Sequence, residues 1–235
     1  TRPMTYRLHY APDNASLIIR LALEELCLPY ETVLIDRASE APRSTAYLAL
    51  NPNGLIPVLE TPHGPLFETG AILLWLADTH GKLAPAPESP QRGDFLKWLF
   101  FVSNTLHTEL RILFYPAKYI CDVAAYQAAL RTGLQKSLTA HLQKLDSLAS
   151  AGHGWFAGSA PSLLDLYVVT LLRWLALYPK DGARWFSLAD TPHLYTLASQ
   201  VECRTSVKAA INAEGLGPTP FTAPRYATPP EGSAT

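Results

Sequence analysis

The chain has 235 residues, of which 48% are hydrophobic and 17% charged, enough to bury a sizeable core and too apolar for a disordered protein. A formal net charge of −1 argues against a dedicated nucleic-acid binder. The longest apolar run, around Leu163 to Leu177, is interrupted by Asp165 and Arg173, so no stretch is long enough to span a bilayer.

The opening TRPMTYRLHY lacks the apolar stretch of a signal peptide, and Thr1 to Pro3 read as an addition ahead of a native Met4. Tyr6 to Tyr10 alternates as a short strand. A proline and polar residues follow, then Ser16 to Cys27 carries Ile19, Ala22, Leu23 and Leu26 on one helical face. Pro29 to Asp36 reads as a second strand, rich in β-branched residues. A helix over Ser44 to Leu50 stops at the NPNG turn, Asn51 to Gly54. Two strands, Leu55 to Glu60 and Pro65 to Phe67, flank the hairpin turn TPHG, and a helix from Glu68 to Thr79 ends at Gly81.

Residues 1–80 therefore spell βαβαββα. Residues 81–90, GKLAPAPESP, read as a linker, and residues 91–214 as an all-α unit. Helices are expected at about Gln91 to Tyr119, Val123 to Ala151, Ser162 to Tyr178, Thr191 to Val201 and Thr205 to Ala213, with Pro116 kinking or ending the first. The proline-rich tail, residues 215–235, is expected to be an extended arm or disordered.

Cys27, Cys121 and Cys203 show no CxxC spacing, and scattered thiols in odd number suit a reducing compartment, so a soluble cytoplasmic protein is expected. The seven histidines form no HExxH or paired ligand spacing, so no protein-bound metal is expected.

Three blocks carry a resemblance: NPNGLIPVLE (Asn51 to Glu60), FETGAILLWLA (Phe67 to Ala77) and WFAGSAPSLLDLYVVTLLRW (Trp155 to Trp174). At their separations the chain resembles the cytosolic glutathione transferases, of a bacterial type with a non-standard catalytic loop. The resemblance implies an α/β thioredoxin-like domain followed by an all-α domain. It also implies a homodimer with a role in detoxification, with glutathione as co-substrate, a small hydrophobic electrophile as second substrate, and neither nucleic acid nor membrane as partner. The apolar faces of Ala71 to Leu76 and Phe95 to Val102 agree with such a dimer.

By the same resemblance Pro57 is cis, and the backbone of Ile56 bonds the cysteinyl part of glutathione. Thr69, where serine is usual, takes the γ-glutamyl carboxylate and Glu68 its ammonium. From the residues alone, Glu68 or Thr69 serves equally as a cap of its helix, whose free N–H groups and dipole favour an anion. Leu55 departs from the glutamine or lysine common there. Arg37 or Arg43 meets the glycyl carboxylate or is a solvated surface charge. Ser162 and Asp165 form a capping box, assigned to folding.

Glutathione chemistry needs a thiolate, and a free thiol has a pKa near 8.5. The family's serine falls here at Asn14 and the bacterial class's cysteine at Ala15, so neither usual side chain is present. Asn14 is an amide donor to the sulfur or a helix N-cap; Ser16 is the second candidate. His107, with Asn104 three residues earlier, either faces the cleft or packs in the core; neutral it accepts the thiol proton, charged it steadies the thiolate. Arg111, Phe114, Tyr115 and Tyr119 are offered to a partly polar second-substrate pocket or to the core. Conjugation leads; glutathione-dependent disulfide reduction and a non-catalytic binding module are the alternatives.

Overall fold

The computed structural model describes residues 5–39, 41–180, 182 and 184–235. The expectation about Thr1 to Met4 lies outside them. The first unit contains β1 (Tyr6–Tyr10), α1 (Ser16–Glu25), β2 (Tyr30–Leu34), α2 (Thr45–Leu50), β3 (Val58–Thr61), β4 (Gly64–Phe67) and α3 (Thr69–His80). Its sheet runs in the order β2-β1-β3-β4, with β1 parallel to β2 and the other pairs antiparallel. This is the thioredoxin-like arrangement.

One apolar face is expected on α1, yet Leu17, Ile18, Ile19, Leu21, Ala22 and Leu23 are all buried. The reason is that α1 packs against β1 and α3 of its own unit and also against α7 (Leu163–Leu177) and α9 (Thr205–Glu214) of the second. A helix enclosed on every side has no polar stripe to display.

The second unit is helical: α4 (Arg92–Phe101), α5 (His107–Phe114), α6 (Ala124–Ser150), α7, α8 (Pro192–Glu202) and α9. Instead of one regular helix from Gln91 to Tyr119, a π-turn over Val102–Leu106 joins α4 to α5, and Pro116 opens a short 3-10 turn after α5. Helix α7 is buried along nearly its whole length. Its capping box is present: Asp165 N–H donates to Ser162 Oγ at 3.2 Å and Ser162 N–H to Asp165 Oδ2 at 2.9 Å. Ala157 N–H reaches the other carboxylate oxygen at 2.8 Å. No helix among the described residues is long and apolar enough to cross a membrane.

Residues 215–235 form neither helix nor strand, yet they are packed. Leu216 and Phe221 are buried, and the Glu202 carboxylate accepts the N–H groups of Phe221 and Thr222. Gly215 turns the chain out of α9 at φ 64°, where a Cβ would lie 2.0 Å from the Thr228 carbonyl oxygen, so only glycine fits. The arm then crosses to the first unit, where Tyr10 donates its hydroxyl to Glu231 at 2.5 Å.

Candidate active site

The NPNG turn builds one wall. Asn51 Oδ1 accepts the Asn53 N–H at 3.0 Å, while Asn51 Nδ2 and the Tyr47 hydroxyl both donate to the Leu55 carbonyl at 2.8 Å. The chain is thereby fixed just before Ile56, and the Ile56–Pro57 bond is cis. The register of β3 against β4 pairs Val58 with Phe67, which sets Ile56 and Pro57 beside Glu68 and Thr69.

Glu68 sits at φ 71°, ψ 115°, a backbone state that costs a non-glycine residue about 1–3 kcal/mol. Glu68 holds the N-cap position of α3 and its backbone carbonyl accepts the Ile72 N–H at 3.0 Å, but its side chain makes no capping hydrogen bond among the described residues, which leaves the first N–H groups of the helix open to an acceptor. Glu68 is exposed and Thr69 buried.

The loop before α1 forms the second wall. Asn14 does not cap α1 with its side chain; its backbone carbonyl accepts the Leu17 N–H at 2.8 Å. The side-chain amide donates instead to the carbonyls of Pro12 at 2.8 Å and Ala234 at 3.3 Å. Arg37 Nη1 donates to Asn14 Oδ1 at 2.9 Å, fixing which way the amide faces, and also to Ala234 at 3.0 Å; its Nη2 reaches the Tyr115 hydroxyl at 3.2 Å. Ser16, the second thiolate candidate, is turned away. Fully buried, its hydroxyl donates to the Ala11 carbonyl at 3.1 Å and stitches the loop together.

The loop is anchored by a residue that motif reading passed over. Asp13, at φ 53°, accepts hydrogen bonds from Arg173 Nε (2.8 Å) and Nη2 (3.0 Å), Trp174 Nε1 (3.0 Å) and the Tyr178 hydroxyl (2.8 Å). The Asp13 N–H donates to Glu214 at 2.8 Å, and Glu214 also holds Arg20 at 2.8 Å. Arg173 is fully buried and donates further to the carbonyls of Pro220 and Arg225 in the arm. One guanidinium therefore ties loop, central helix and arm together. The only sequence signal for it was a charge inside an apolar run.

Between these walls lies a cavity of about 1250 Å³, lined on one side by Asn14, Arg37, Arg43, Leu55 and Ile56. Its far side presents His107, Arg111, Phe114, Tyr115 and Tyr178. Asn104 is not brought in. It is exposed, because the π-turn fits more residues into each revolution and breaks the three-residue spacing that would have aligned it with His107. Tyr119 is exposed as well.

His107 Nδ1 lies 2.8 Å from the Tyr167 hydroxyl, with the Trp174 ring 5.6 Å away. Burial, helped by the Arg111 charge, pushes its imidazole down to about 4. It is neutral at pH 7, which removes the charged role. An imidazole this weakly basic is also a poor acceptor for a thiol proton.

Comparisons with known proteins agree with this architecture. Residues 15–79 match the family model "Glutathione S-transferase, N-terminal domain" and residues 125–196 "Glutathione S-transferase, C-terminal domain". The chain is 31% identical to glutathione S-transferase GST-4.5 of Xanthomonas campestris, with 89% of this chain and 99% of that one covered. Maleylpyruvate isomerase of a Ralstonia species is 28% identical over 79% of this chain and 85% of its own. Among solved structures, a sphingomonad glutathione S-transferase complexed with glutathione is 32% identical, with 90% of this chain and 100% of that one covered and a TM-score of 0.72. Two matched domains in the right order, and a relative aligned along nearly its full length, lead to one conclusion: the chain belongs to the glutathione S-transferase family of enzymes.

Proposed function

We propose that the protein transfers the glutathione thiolate to a small electrophile and releases a thioether. The observation that carries this reading is the single cavity joining Ile56 and Asn14 to Arg111, Phe114 and Tyr115. At about 1250 Å³ it exceeds the roughly 300–1,000 Å³ of a pocket for one small ligand, a size in keeping with a second molecule beside a tripeptide.

In this reading the Ile56 backbone bonds the cysteinyl unit, and Thr69 with the open end of α3 takes the γ-glutamyl carboxylate. Glu68 takes the ammonium, and Arg37 or Arg43 the glycyl carboxylate. The Asn14 amide, now on the Ala234 carbonyl, turns to the sulfur, and the dipole of α1 adds to its effect. The thiol proton goes to solvent, since His107 is too weakly basic to hold it. The sulfur lone pair then forms the S–C bond, and the leaving group departs with its bonding pair.

The test is turnover of an aryl halide beside that of a hydroxyethyl mixed disulfide, with glutathione supplied to both. Conjugation predicts thioether from the halide. Turnover of the disulfide alone replaces it with the reductase reading, and turnover of neither with the binding module. The same reading carries a cytoplasmic homodimer. Of the two apolar faces expected to agree with a dimer, Ile72, Leu73, Leu76, Phe95, Leu99 and Val102 are buried within the chain itself, and Phe100, 53% accessible, is what α4 leaves exposed; three exposed free cysteines are in keeping with a reducing compartment. Light scattering at micromolar concentration should give twice the chain mass, and a monomer mass would reject the dimer.

A further inference from the structure

We propose that the second substrate is an organic anion, an electrophile bearing at least one carboxylate, held on the helical side of the cavity by Arg111 with Lys118 and Lys180. This rests on the thiol-transfer reading above and replaces the hydrophobic electrophile expected from resemblance.

The described residues lining the cavity include five cations, Arg37, Arg43, Arg111, Lys118 and Lys180, and one carboxylate, Asp13. Counting side chains alone, that makes +5 − 1 = +4 in a chain whose formal net charge is −1; Thr235, the last residue here, lines the cavity too, and its backbone carboxylate brings the sum to +3. The Asp13 carboxylate does not offset the cations. Asp13 has no exposed side-chain surface and is already matched by Arg173, which lies behind the cavity. The space itself therefore faces five positive groups. Glutathione with an ionised sulfur brings two carboxylates, a thiolate and an ammonium, a net charge of about −2 at pH 7.

The cations also divide by wall. Arg37 and Arg43 follow β2 on the side of Ile56, where the glycyl end of glutathione is assigned. Arg111 belongs to α5, Lys118 to the turn after it, and Lys180 follows α7, so these three line the helical side; Lys118 lies over the Tyr115 ring and Lys180 donates to the Thr235 hydroxyl at 3.4 Å, which leaves Arg111 the cation without a partner there among the described residues. Arg111 is half-buried and pairs with no carboxylate among the described residues. Its charge is felt at His107, whose basicity it helps to lower.

A neutral apolar molecule laid over Arg111 would strip water from a cation and return nothing, whereas a carboxylate returns an ion pair. A cleft lined by one sign of charge also concentrates ligands of the other sign. The rings of Phe114, Tyr115 and Tyr178 remain to cover the carbon skeleton.

The experiment compares a chloronitrobenzoate with its methyl ester, which share ring, nitro group and leaving group and differ in one charge. Each kcat/KM is divided by the uncatalysed rate with glutathione, and glutathione binding is measured separately by calorimetry. The expected result is at least a tenfold preference for the carboxylate, shrinking as salt is added. Arg111→Gln should collapse that ratio. Lys118→Gln, at an exposed position that cannot unfold the chain, should lower it by a smaller factor. Glutathione binding with ester turnover and no preference for the carboxylate overturns the proposal and leaves the thiol-transfer reading standing. Failure to bind glutathione removes both.

Discussion

The stretch that places Ile56 beside Glu68 and Thr69 is one short piece of chain, its turn, strands and helix start all lying between residues 51 and 69, and of these three only Ile56 lines the cavity. The loop carrying Asn14 is held from far away. Asp13 is bound by Arg173, 160 positions on, and by Glu214, 201 positions on, and Asn14 meets Ala234 across 220. The first wall is a local product of sequence, while the second exists only once the helical unit and the arm have packed. Damage to the two should accordingly differ in kind: loss of ligand affinity on the first, loss of the fold on the second.

Arg173→Met should have the largest effect. It leaves the Asp13 carboxylate buried without its partner, and breaking such a pair from one side costs about 3–5 kcal/mol. Urea unfolding measures it, and a loss below about 1 kcal/mol would mean that the loop does not depend on the helical unit. Glu68→Ala, in the local stretch, should leave unfolding nearly unchanged and weaken glutathione binding at least tenfold, about 1.4 kcal/mol, by calorimetry. A reversal of those two profiles would mean that the Ile56 wall, and not the Asn14 loop, depends on the helical unit.

Removal of residues 231–235 separates the arm's tip from the rest of the loop's anchor. The variant loses the Ala234 carbonyl that occupies Asn14 and Arg37, while Phe221 and the arm's contacts to Arg173 and Glu202 stay. Glutathione should then bind about fivefold more tightly, the worth of one net hydrogen bond of about 1 kcal/mol no longer displaced. Unchanged affinity would show that the arm does not compete for the loop.

The remaining effect concerns pH. The ordinary imidazole value is 6.5, and His107 in the folded chain is lowered to about 4. Between those values the unfolded chain binds the extra proton, so stability is full above about pH 6.5 and declines as pH falls toward 4. His107→Gln should remove up to about 1.4 kcal/mol per pH unit from that slope. An unaltered slope would mean that the imidazole protonates freely in the fold.

The same contrast accounts for what the sequence made legible. NPNG and the Ser162–Asp165 box act over a few residues, and each could be read from its spacing, while the cis bond before Pro57 was implied by the resemblance alone. The π-turn could not, because Val102–Leu106 is ordinary helical sequence; its outcome is that His107 enters the cavity while Asn104 stays outside. Arg173 looked like an interruption of an apolar run, since its partner is remote. The proline content of residues 215–235 correctly excluded helix, but it carried no trace of the Glu202 and Arg173 groups that hold the arm down.

Asn14 stands where the two walls meet, and the proposed mechanism depends on its amide donating to the sulfur. The most direct measurement is the ultraviolet thiolate absorbance of bound glutathione against pH, in the native chain and in Asn14→Ala. One hydrogen bond to a charged sulfur is worth about 1.5–3 kcal/mol, so the native chain should hold the thiol pKa roughly one to two units below that of the variant. Coincident titration curves, with glutathione still bound in both, would contradict the claim and leave the sulfur to the α1 dipole alone.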